Sequence, residues 1–261
     1  MTRSESELIH RAAAQGFEAG ADTYEKGRPD YPAALSGWLR AELHLNASTT
    51  VLDLGAGTGK FLPRVLETGA RVIAIEPVDA MRARLASAFP DIEVRAGRAE
   101  HIPLANESLD AVTCAQAFHW FANVVAMQEI RRVLKPGGAL GLIWNIRDEN
   151  VPWVRELTEI LAPFEGDTPR YHSLQWRRVF PAPGFSVLAE AVFSHVHEGA
   201  PERVIVDRTL SISFIAALPS EQRAEIAQRI RALIERTPEL ASRQTVQFPY
   251  RTVAFGCRKL H

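Results

Sequence analysis

Three glycines stand two residues apart in the stretch VLDLGAGTGK, residues 51–60, at Gly55, Gly57 and Gly59. A short apolar run precedes them, and a segment with helical spacing follows. Glycine tolerates positive φ angles and lets a ligand lie close to the backbone, since it has no Cβ atom. We therefore interpret this stretch as a strand-to-helix turn that holds a ligand, rather than as a tight turn alone.

Two familiar phosphate-binding loops do not fit this spacing. A P-loop places its first glycine where this chain has Leu54 and its Ser or Thr where the chain has Phe61. A dinucleotide fingerprint places its third glycine at residue 60, which is Lys60. The pattern that fits is apolar-Asp-apolar-Gly-x-Gly-x-Gly.

Two acids accompany the glycines. Glu76 ends the next strand-like run, 21 residues after Gly55, where a carboxylate can accept hydrogen bonds from both hydroxyls of a ribose. Asp53 comes just before the turn, where it can hold backbone amides or meet an ammonium group. The predicted ligand is an adenosine without a pyrophosphate, with an amino-acid tail folded over the loop.

The surrounding pattern alternates strands with helices, which predicts a parallel sheet covered on both faces. We predict an α/β fold with a doubly wound, mostly parallel Rossmann-like sheet of about seven strands, the last one antiparallel, and helical lid segments. The predicted strands are 50–54, 71–76, 92–97, 109–115, 139–145, 185–197 and 244–257, and the predicted helices are 33–43, 59–68, 79–89, 123–134, 202–217 and 220–236, with Ser220 as a cap.

No stretch rich in Gly, Ser or Pro marks a linker, so we predict a single domain over residues 1–261. Within it, residues 46–148 form the predicted cofactor-binding core and residues 1–45 an N-terminal lid. Residues 149–261 supply the C-terminal strands and a helical insertion on the substrate side.

Composition excludes several classes of protein. The net charge of -1 and pI near 6.7 argue against binding to nucleic acid, because phosphate neutralisation requires a basic surface. Cys114 and Cys257 have no metal-type spacing, and His195 and His197 are interpreted as structural, so no metal is expected. Without an apolar leader or a membrane-length apolar run, we expect a cytoplasmic protein with no membrane partner.

Several motifs in order resemble those of class I S-adenosylmethionine-dependent methyltransferases with a type-11 methyltransferase domain. VLDLGAGTGK is similar to the first motif and IEP to the second, and AGRAEHIPLANESLDAV, AQAFHWF and RRVLKPGGALGLIWN follow in the family's order. The upstream segment YEKGRPDYP, residues 24–32, also resembles a subgroup that includes relatives of trans-aconitate methyltransferases. The resemblance covers most of the chain.

The resemblance implies S-adenosylmethionine as cofactor, S-adenosylhomocysteine as product, and no metal. Where relatives often carry an acid that accepts from the adenine amino group, this chain has Arg98, which cannot accept a hydrogen bond. That contact would pass to a backbone carbonyl or to Glu100. The cofactor-binding residues implied are Tyr24, Arg28, Asp53, Gly55, Gly57, Gly59, Glu76, Ala99, Glu100 and Gln116.

The same resemblance places Phe118, His119, Trp120 and Trp144 on the substrate side. His119 is the candidate catalytic residue, with three roles open: general base, positioning of substrate, or structure. Phe118 and Trp120 either line the pocket or pack in the core. Arg28 either clamps a carboxylate or lies on the surface.

The predicted reaction is methyl transfer to a small-molecule acceptor, either a carboxylic acid or a hydroxyl compound. Two alternatives stay open: a non-catalytic domain that binds the adenosyl cofactor, and a methyltransferase acting on a macromolecule. The enzyme is expected to act as a monomer or homodimer.

Overall fold

The computed structural model describes residues 28–166 and 168–260, which divide into two compact units. Of these residues, the larger unit contains 31–145, 169–193 and 252–260. The smaller unit contains 28–30, 146–168 without 167, and 194–251. The single-domain prediction stays a prediction.

The strands are β1 (Thr50–Leu54), β2 (Arg71–Ile75), β3 (Glu93–Arg95), β4 (Leu109–Ala115), β5 (Leu134–Arg147), β6 (Ala189–Gly199) and β7 (Val246–Arg258). The α-helices are α1 (Ala34–Glu42), α2 (Leu62–Leu66), α3 (Asp79–Ala88), α4 (Val124–Val133), α5 (Pro152–Glu165), α6 (Arg208–Leu210), α7 (Ser213–Ala216) and α8 (Ser220–Arg236). Short 3-10 helices cover Phe118–Trp120 and Gln175–Val179, and a π-helical turn covers Glu202–Asp207.

The sheet has seven strands in the order β3-β2-β1-β4-β5-β7-β6. The pairings β3–β2, β2–β1, β1–β4 and β4–β5 are parallel. The predicted fold class is confirmed, since the sheet is mostly parallel with one antiparallel pair. Strands β1 and β2 are buried after their first residues and are apolar there except for Asp53, as expected for a sheet whose two faces are covered by helices.

Helix α1 packs in the core of the larger unit. Leu35 and Leu39 are fully buried in one apolar cluster with Val51 of β1 and Leu62 of α2. This helix falls inside the segment 1–45 that the sequence predicts as a lid. The lid role stays a prediction for the residues that precede α1.

Three local predictions differ from the structure. Strand β5 begins at Leu134, earlier than predicted, because a register shift opposite β4 accommodates the turn residues that follow. The helix predicted over 202–217 is divided into the π-helical turn, α6 and α7. Ser220 is the first residue of α8, and the preceding Pro219 occupies the N-cap position without a side-chain hydrogen bond.

The smaller unit has its own apolar core. Residues from α5, α7, α8 and β7 are buried together, and they include Leu157, Ile215, Ile230 and Phe248. The apolar stripe predicted for α8 faces this cluster, as the spacing indicated. Within 28–166 and 168–260 no helix has both the length and the apolar character to cross a membrane.

Candidate active site

The glycine loop follows β1 and bends with positive φ at all three glycines: +74° at Gly55, +59° at Gly57 and +90° at Gly59. A Cβ on Gly55 would lie 2.8 Å from the Cβ of Ala117, and one on Gly59 would lie 2.5 Å from Cδ1 of Leu85. A Cβ on Gly57 would meet no described atom within 4 Å. Gly55 and Gly59 therefore serve internal packing, whereas Gly57 presents its bare face to open space.

This difference makes a prediction for two matched substitutions. Gly59→Ala should lower the unfolding free energy by about 2–5 kcal/mol, combining overpacking with a strained positive φ. Gly57→Ala should lower the unfolding free energy by only about 1–2 kcal/mol, because it adds the strained positive φ without overpacking. It should, however, weaken the binding of a ligand that lies against the loop. Urea unfolding and ligand titration of both proteins check this, and equal destabilisation by the two changes would contradict it.

Glu76 anchors the glycine loop through a hydrogen bond. It follows β2 directly, is only 5% exposed, and accepts hydrogen bonds from the backbone N–H groups of Gly57 at 2.8 Å and Val78 at 2.9 Å. Burial raises the pKa of this carboxyl group, and the two backbone hydrogen bonds and Arg82 act in the opposite direction. Each carboxylate oxygen has a second lone pair with which to accept from a ligand hydroxyl.

Asp53 lies in β1 opposite Thr113 of β4, and it is almost wholly buried. Its Oδ1 accepts a hydrogen bond from the Thr113 hydroxyl at 2.9 Å, so this threonine takes the place of the backbone amides that the sequence suggested. In the part of the chain that the structure describes, Oδ2 is buried without a hydrogen-bond partner. Such an orphaned oxygen suits a cationic ligand group, which was the second prediction for Asp53.

The buried state of Asp53 predicts a pH dependence of stability. Burial raises the pKa of Asp53 from 3.8 to about 7; the hydrogen bond from Thr113 acts in the opposite direction, and the charge of Glu76 adds to the rise. Because the folded pKa lies above the unfolded one, this contribution is fully present below about pH 3.8 and is lost as the pH rises through about 7. The loss amounts to at most about 4 kcal/mol, at 1.36 kcal/mol per pKa unit.

Chemical unfolding at pH 5 and pH 8, in wild type and in Asp53→Asn, measures this contribution. The unfolding free energy of wild type should fall with pH relative to that of Asp53→Asn, whose side chain does not titrate. Parallel pH profiles for the two proteins would show that Asp53 is ionised throughout and would contradict the prediction.

Two further predicted cofactor contacts, Ala99 and Glu100, lie in the segment between β3 and β4. Ala99 is buried, and Glu100 accepts a hydrogen bond from Nδ2 of Asn123 at 3.0 Å. The Asn123 side chain also accepts from the backbone N–H of Ala126, so Glu100 is fixed to the first turn of α4. The role of Glu100 as an adenine acceptor in place of Arg98 stays a prediction.

Gln116 bridges the ends of β4 and β5. Its backbone N–H donates to the carbonyl oxygen of Ile143, and its side-chain Nε2 donates to that of Asn145, both at 2.8 Å. Its φ of +55° turns the chain sharply after β4 and starts the Phe118–Trp120 helix. The carboxyl ends of β4 and β5 are thereby held together, at the edge where open α/β sheets bind ligands.

His119 is fixed by a hydrogen bond that the sequence did not reveal. The indole Nε1 of Trp144 donates to Nδ1 of His119 at 3.1 Å. An indole N–H is a donor only, so Nδ1 must carry a lone pair, and a neutral imidazole in this pose holds its proton on Nε2. His119 is therefore oriented to donate a hydrogen bond from Nε2.

The aromatic residues at this edge form one cluster. Phe118 and Trp144 are fully buried, and each packs against the ring of Trp176, a residue that the sequence analysis placed in no role. Trp120 is partly buried, with its ring 5.2 Å from that of His119. The cluster consists of Phe118, Trp144, Tyr171, Trp176, Phe180 and Phe255. Substrate-side roles for Phe118, Trp120 and Trp144 stay predictions.

Comparison with known proteins identifies the family. The domain family described as "Methyltransferase domain" matches residues 52–142. An uncharacterized methyltransferase-like protein of Schizosaccharomyces pombe is 38% identical over 246 residues, which cover 93% of this chain and 95% of the relative. The chain belongs to the class I S-adenosylmethionine-dependent methyltransferases.

A second relative agrees with this membership, and two solved structures share the fold. An uncharacterized methyltransferase of Mycobacterium tuberculosis strain H37Rv is 39% identical over 237 residues, or 91% of this chain and 93% of the relative. Among solved structures, the YcgJ protein of Bacillus subtilis shares the fold, with a TM-score of 0.53, 19% identity, and coverage of 87% and 98%. The [4+2]-cyclase SpnF also shares it, with a TM-score of 0.56, 17% identity, and coverage of 95% of each chain.

The residues of this methyltransferase fit S-adenosylmethionine. The open face of Gly57, the orphaned Oδ2 of Asp53 and the carboxylate of Glu76 lie around the ends of β1 and β2. An ammonium group would neutralise Asp53, and ribose hydroxyls would use the second lone pairs of Glu76. The glycine loop, Glu76 and Asp53 are therefore brought together as the sequence predicted, while their individual contacts to the cofactor stay predictions.

Two predicted cofactor contacts of the methyltransferase come from the segment before α1. Tyr24 lies outside the described residues. Arg28 belongs to the smaller unit, and its Nη2 donates to the carbonyl oxygen of Ser211 at 3.4 Å. No group of three or more His, Cys, Asp or Glu residues suited to a metal ion occurs in 28–166 or 168–260. The contacts of Tyr24 and Arg28 to the cofactor stay predictions.

Proposed function

We propose that this methyltransferase acts on a small molecule and methylates an oxygen atom, either of a carboxylic acid or of a hydroxyl group, with the carboxylic acid favoured. The observation that carries the proposal is the hydrogen bond from Trp144 to Nδ1 of His119. It fixes the neutral tautomer of His119 that has its proton on Nε2, and a carboxylate is an acceptor only.

The reaction requires little of the protein beyond alignment of the methyl donor with the acceptor. S-adenosylmethionine supplies a methyl group on a sulfonium, which already has a good leaving group. The protein has to hold the acceptor in line and exclude water, which are effects of proximity and orientation. The role proposed for His119 is to orient the acceptor oxygen, so it is a positioning residue.

The protonation state of the acceptor supports the carboxylic acid. A carboxylate is already ionised near neutral pH and needs no proton removed. An amine or a phenol would require a general base, and a base needs a lone pair where His119 holds its proton. A hydroxyl acceptor would therefore need a proton acceptor other than His119.

The remaining proposals concern partners and compartment. We infer that the enzyme works in the cytoplasm, as a monomer or homodimer, without nucleic acid or membrane partners. The near-neutral charge balance, with 30 Lys and Arg against 31 Asp and Glu, supports a small acceptor over a nucleic acid.

An acceptor screen tests the proposal. The purified enzyme is incubated with S-adenosylmethionine and matched panels of carboxylic acids, alcohols, phenols, amines, short peptides and RNA, and release of S-adenosylhomocysteine is followed. We expect turnover with at least one carboxylic acid and none with its amide. Turnover confined to amines, peptides or RNA would contradict the proposal, and cofactor binding without any turnover would favour the non-catalytic alternative.

A further inference from the structure

The smaller unit contains a polar cluster that the cofactor site does not use. It consists of Arg147, the last residue of β5, Arg208, the first residue of α6, and Tyr250 in β7. Arg208 is 8% exposed and Tyr250 is 2% exposed. Tyr250 belongs to the apolar core of the unit, together with Val206, which lies two residues before Arg208. Arginine is rarely buried to this extent without an anion beside it.

The polar atoms of this cluster lack partners. Nη1 of Arg147, Nε and Nη1 of Arg208, and the Tyr250 hydroxyl are all buried and accept or donate no hydrogen bond within the described ranges. An unsatisfied buried donor destabilises the folded state, and more so when it carries a charge. Four such atoms in three residues indicate a site that is completed by a bound group.

The side chains are close enough for their charges to interact. Burial lowers the pKa of the Arg147 guanidinium, and the positive charge of Arg208 lowers it further, whereas Tyr250 acts in the opposite direction. Two like charges held together in a buried place repel each other, and an anion between them would remove the repulsion.

Arg28 approaches the same region. Its Nη2 donates to the carbonyl oxygen of Ser211, and the Ser211 hydroxyl in turn donates to the carbonyl oxygen of Arg208 at 2.7 Å. The predicted role of Arg28 as a carboxylate clamp therefore has two further arginines to support it.

We infer that Arg147, Arg208 and Tyr250 form a binding site for the carboxylate group of a small molecule. Guanidinium groups match a carboxylate with pairs of parallel N–H donors, and the phenol hydroxyl supplies one more donor.

The charge around the site favours a carboxylate over a phosphate. Glu149 and Glu165 lie near enough to Arg147 to raise its pKa, so they offset part of the positive charge. The field that remains suits a group with a single negative charge better than a phosphate, which carries nearly two.

Thermal unfolding and calorimetry with simple carboxylates test the inference without any methyl transfer. Acetate and succinate are the probes, and acetamide and succinamide are their neutral counterparts. We expect succinate at about one hundred times its Kd to raise the Tm of wild type by about 5 °C or more, because a ligand that binds only the folded state stabilises it. The amides should have no effect.

Variants of the cluster identify the residues. Arg208→Met should weaken succinate binding about tenfold or more, which is the loss expected for a charged hydrogen bond. Arg208→Lys should retain part of the affinity for succinate, since lysine keeps the positive charge but lacks the planar guanidinium group. Tyr250→Phe, a milder change, should weaken binding by several-fold. Arg231→Met is the matched control, because Arg231 is half-exposed in the same unit and paired with Glu202.

Three results would overturn the inference. The first is that succinate binds all variants as it binds wild type. The second is that sulfate stabilises the protein as much as succinate does. The third is that no carboxylate stabilises wild type, while Arg208→Met has a lower Tm than wild type. The last result would mean that the arginines are already neutralised by the chain itself. Titration of S-adenosylhomocysteine in the same proteins separates these failures from failure of the proposed function, because it reports on cofactor binding alone.

Discussion

Replacing Glu76 by alanine is expected to weaken the binding of S-adenosylmethionine by about 10- to 150-fold, the loss expected for hydrogen bonds to a charged group. The carboxylate has two tasks that alanine cannot perform. It holds the backbone N–H groups of Gly57 and Val78, and it offers acceptors for the ribose hydroxyls. Both losses fall on the cofactor and neither involves the methyl acceptor.

Isothermal titration of wild type and Glu76→Ala with S-adenosylhomocysteine measures this effect. Asp79→Ala is the matched control, because Asp79 is an acid three residues further on whose side chain is 90% exposed. Its affinity should equal that of wild type. An unchanged affinity in Glu76→Ala would remove Glu76 from the cofactor site.

The second large effect is expected at His119. If His119 positions an acceptor oxygen through Nε2, His119→Ala should raise the KM for the acceptor and reduce kcat/KM by about 10- to 150-fold, with a smaller change in kcat. A general base would instead lose about 10²–10⁴-fold in kcat. His44→Ala, which removes an exposed histidine, is the control.

The tautomer of His119 can be observed directly. Nitrogen-15 NMR of the imidazole ring should show a proton on Nε2 and a lone pair on Nδ1. Trp144→Phe, which removes the indole N–H, should release this preference and raise the acceptor KM as His119→Ala does. A proton on Nδ1 in wild type, or steady-state kinetics of His119→Ala equal to those of wild type, would contradict the positioning role.

The central part of the fold was predictable because its signals are local in the sequence. Apolar runs alternate with helical spacing from β1 to β5, so strand type and order follow from short segments. The glycine loop and Glu76 were predictable for the same reason. Gly57, whose φ is positive, follows the end of β1, and Glu76 follows the end of β2.

The features that the sequence did not reveal depend on residues far apart in the chain. Thr113 meets Asp53 across 60 residues because the parallel register of β1 and β4 places them side by side. The hydrogen bond between Trp144 and His119 joins the ends of two strands. The Arg147 and Arg208 pair carries no spacing motif, because single arginines at the ends of two elements become a site only through folding.

The early start of β5 and the broken helix after residue 202 have another cause. The sequence from Lys135 to Gly138 predicts the end of a helix and a turn. In the structure these residues belong to β5, which pairs with β4 through a shift of register. The segment from 202 to 216 has continuous helical spacing, yet it forms a π-helical turn and two short helices. Local propensity does not determine such breaks, since tertiary packing overrides it.

The claim that the glycine loop binds an adenosyl cofactor is tested by titrating the purified protein with S-adenosylhomocysteine, NAD and ATP. NAD and ATP are the ligands of the dinucleotide fingerprint and the P-loop, the two loop types that the glycine spacing does not fit. We expect one binding site for S-adenosylhomocysteine, and affinities for NAD and ATP that are weaker by about a hundredfold or more, since the loop lacks the third glycine and the Lys-Ser/Thr pair that hold their phosphates. Tight binding of NAD or ATP, with none of S-adenosylhomocysteine, would contradict it.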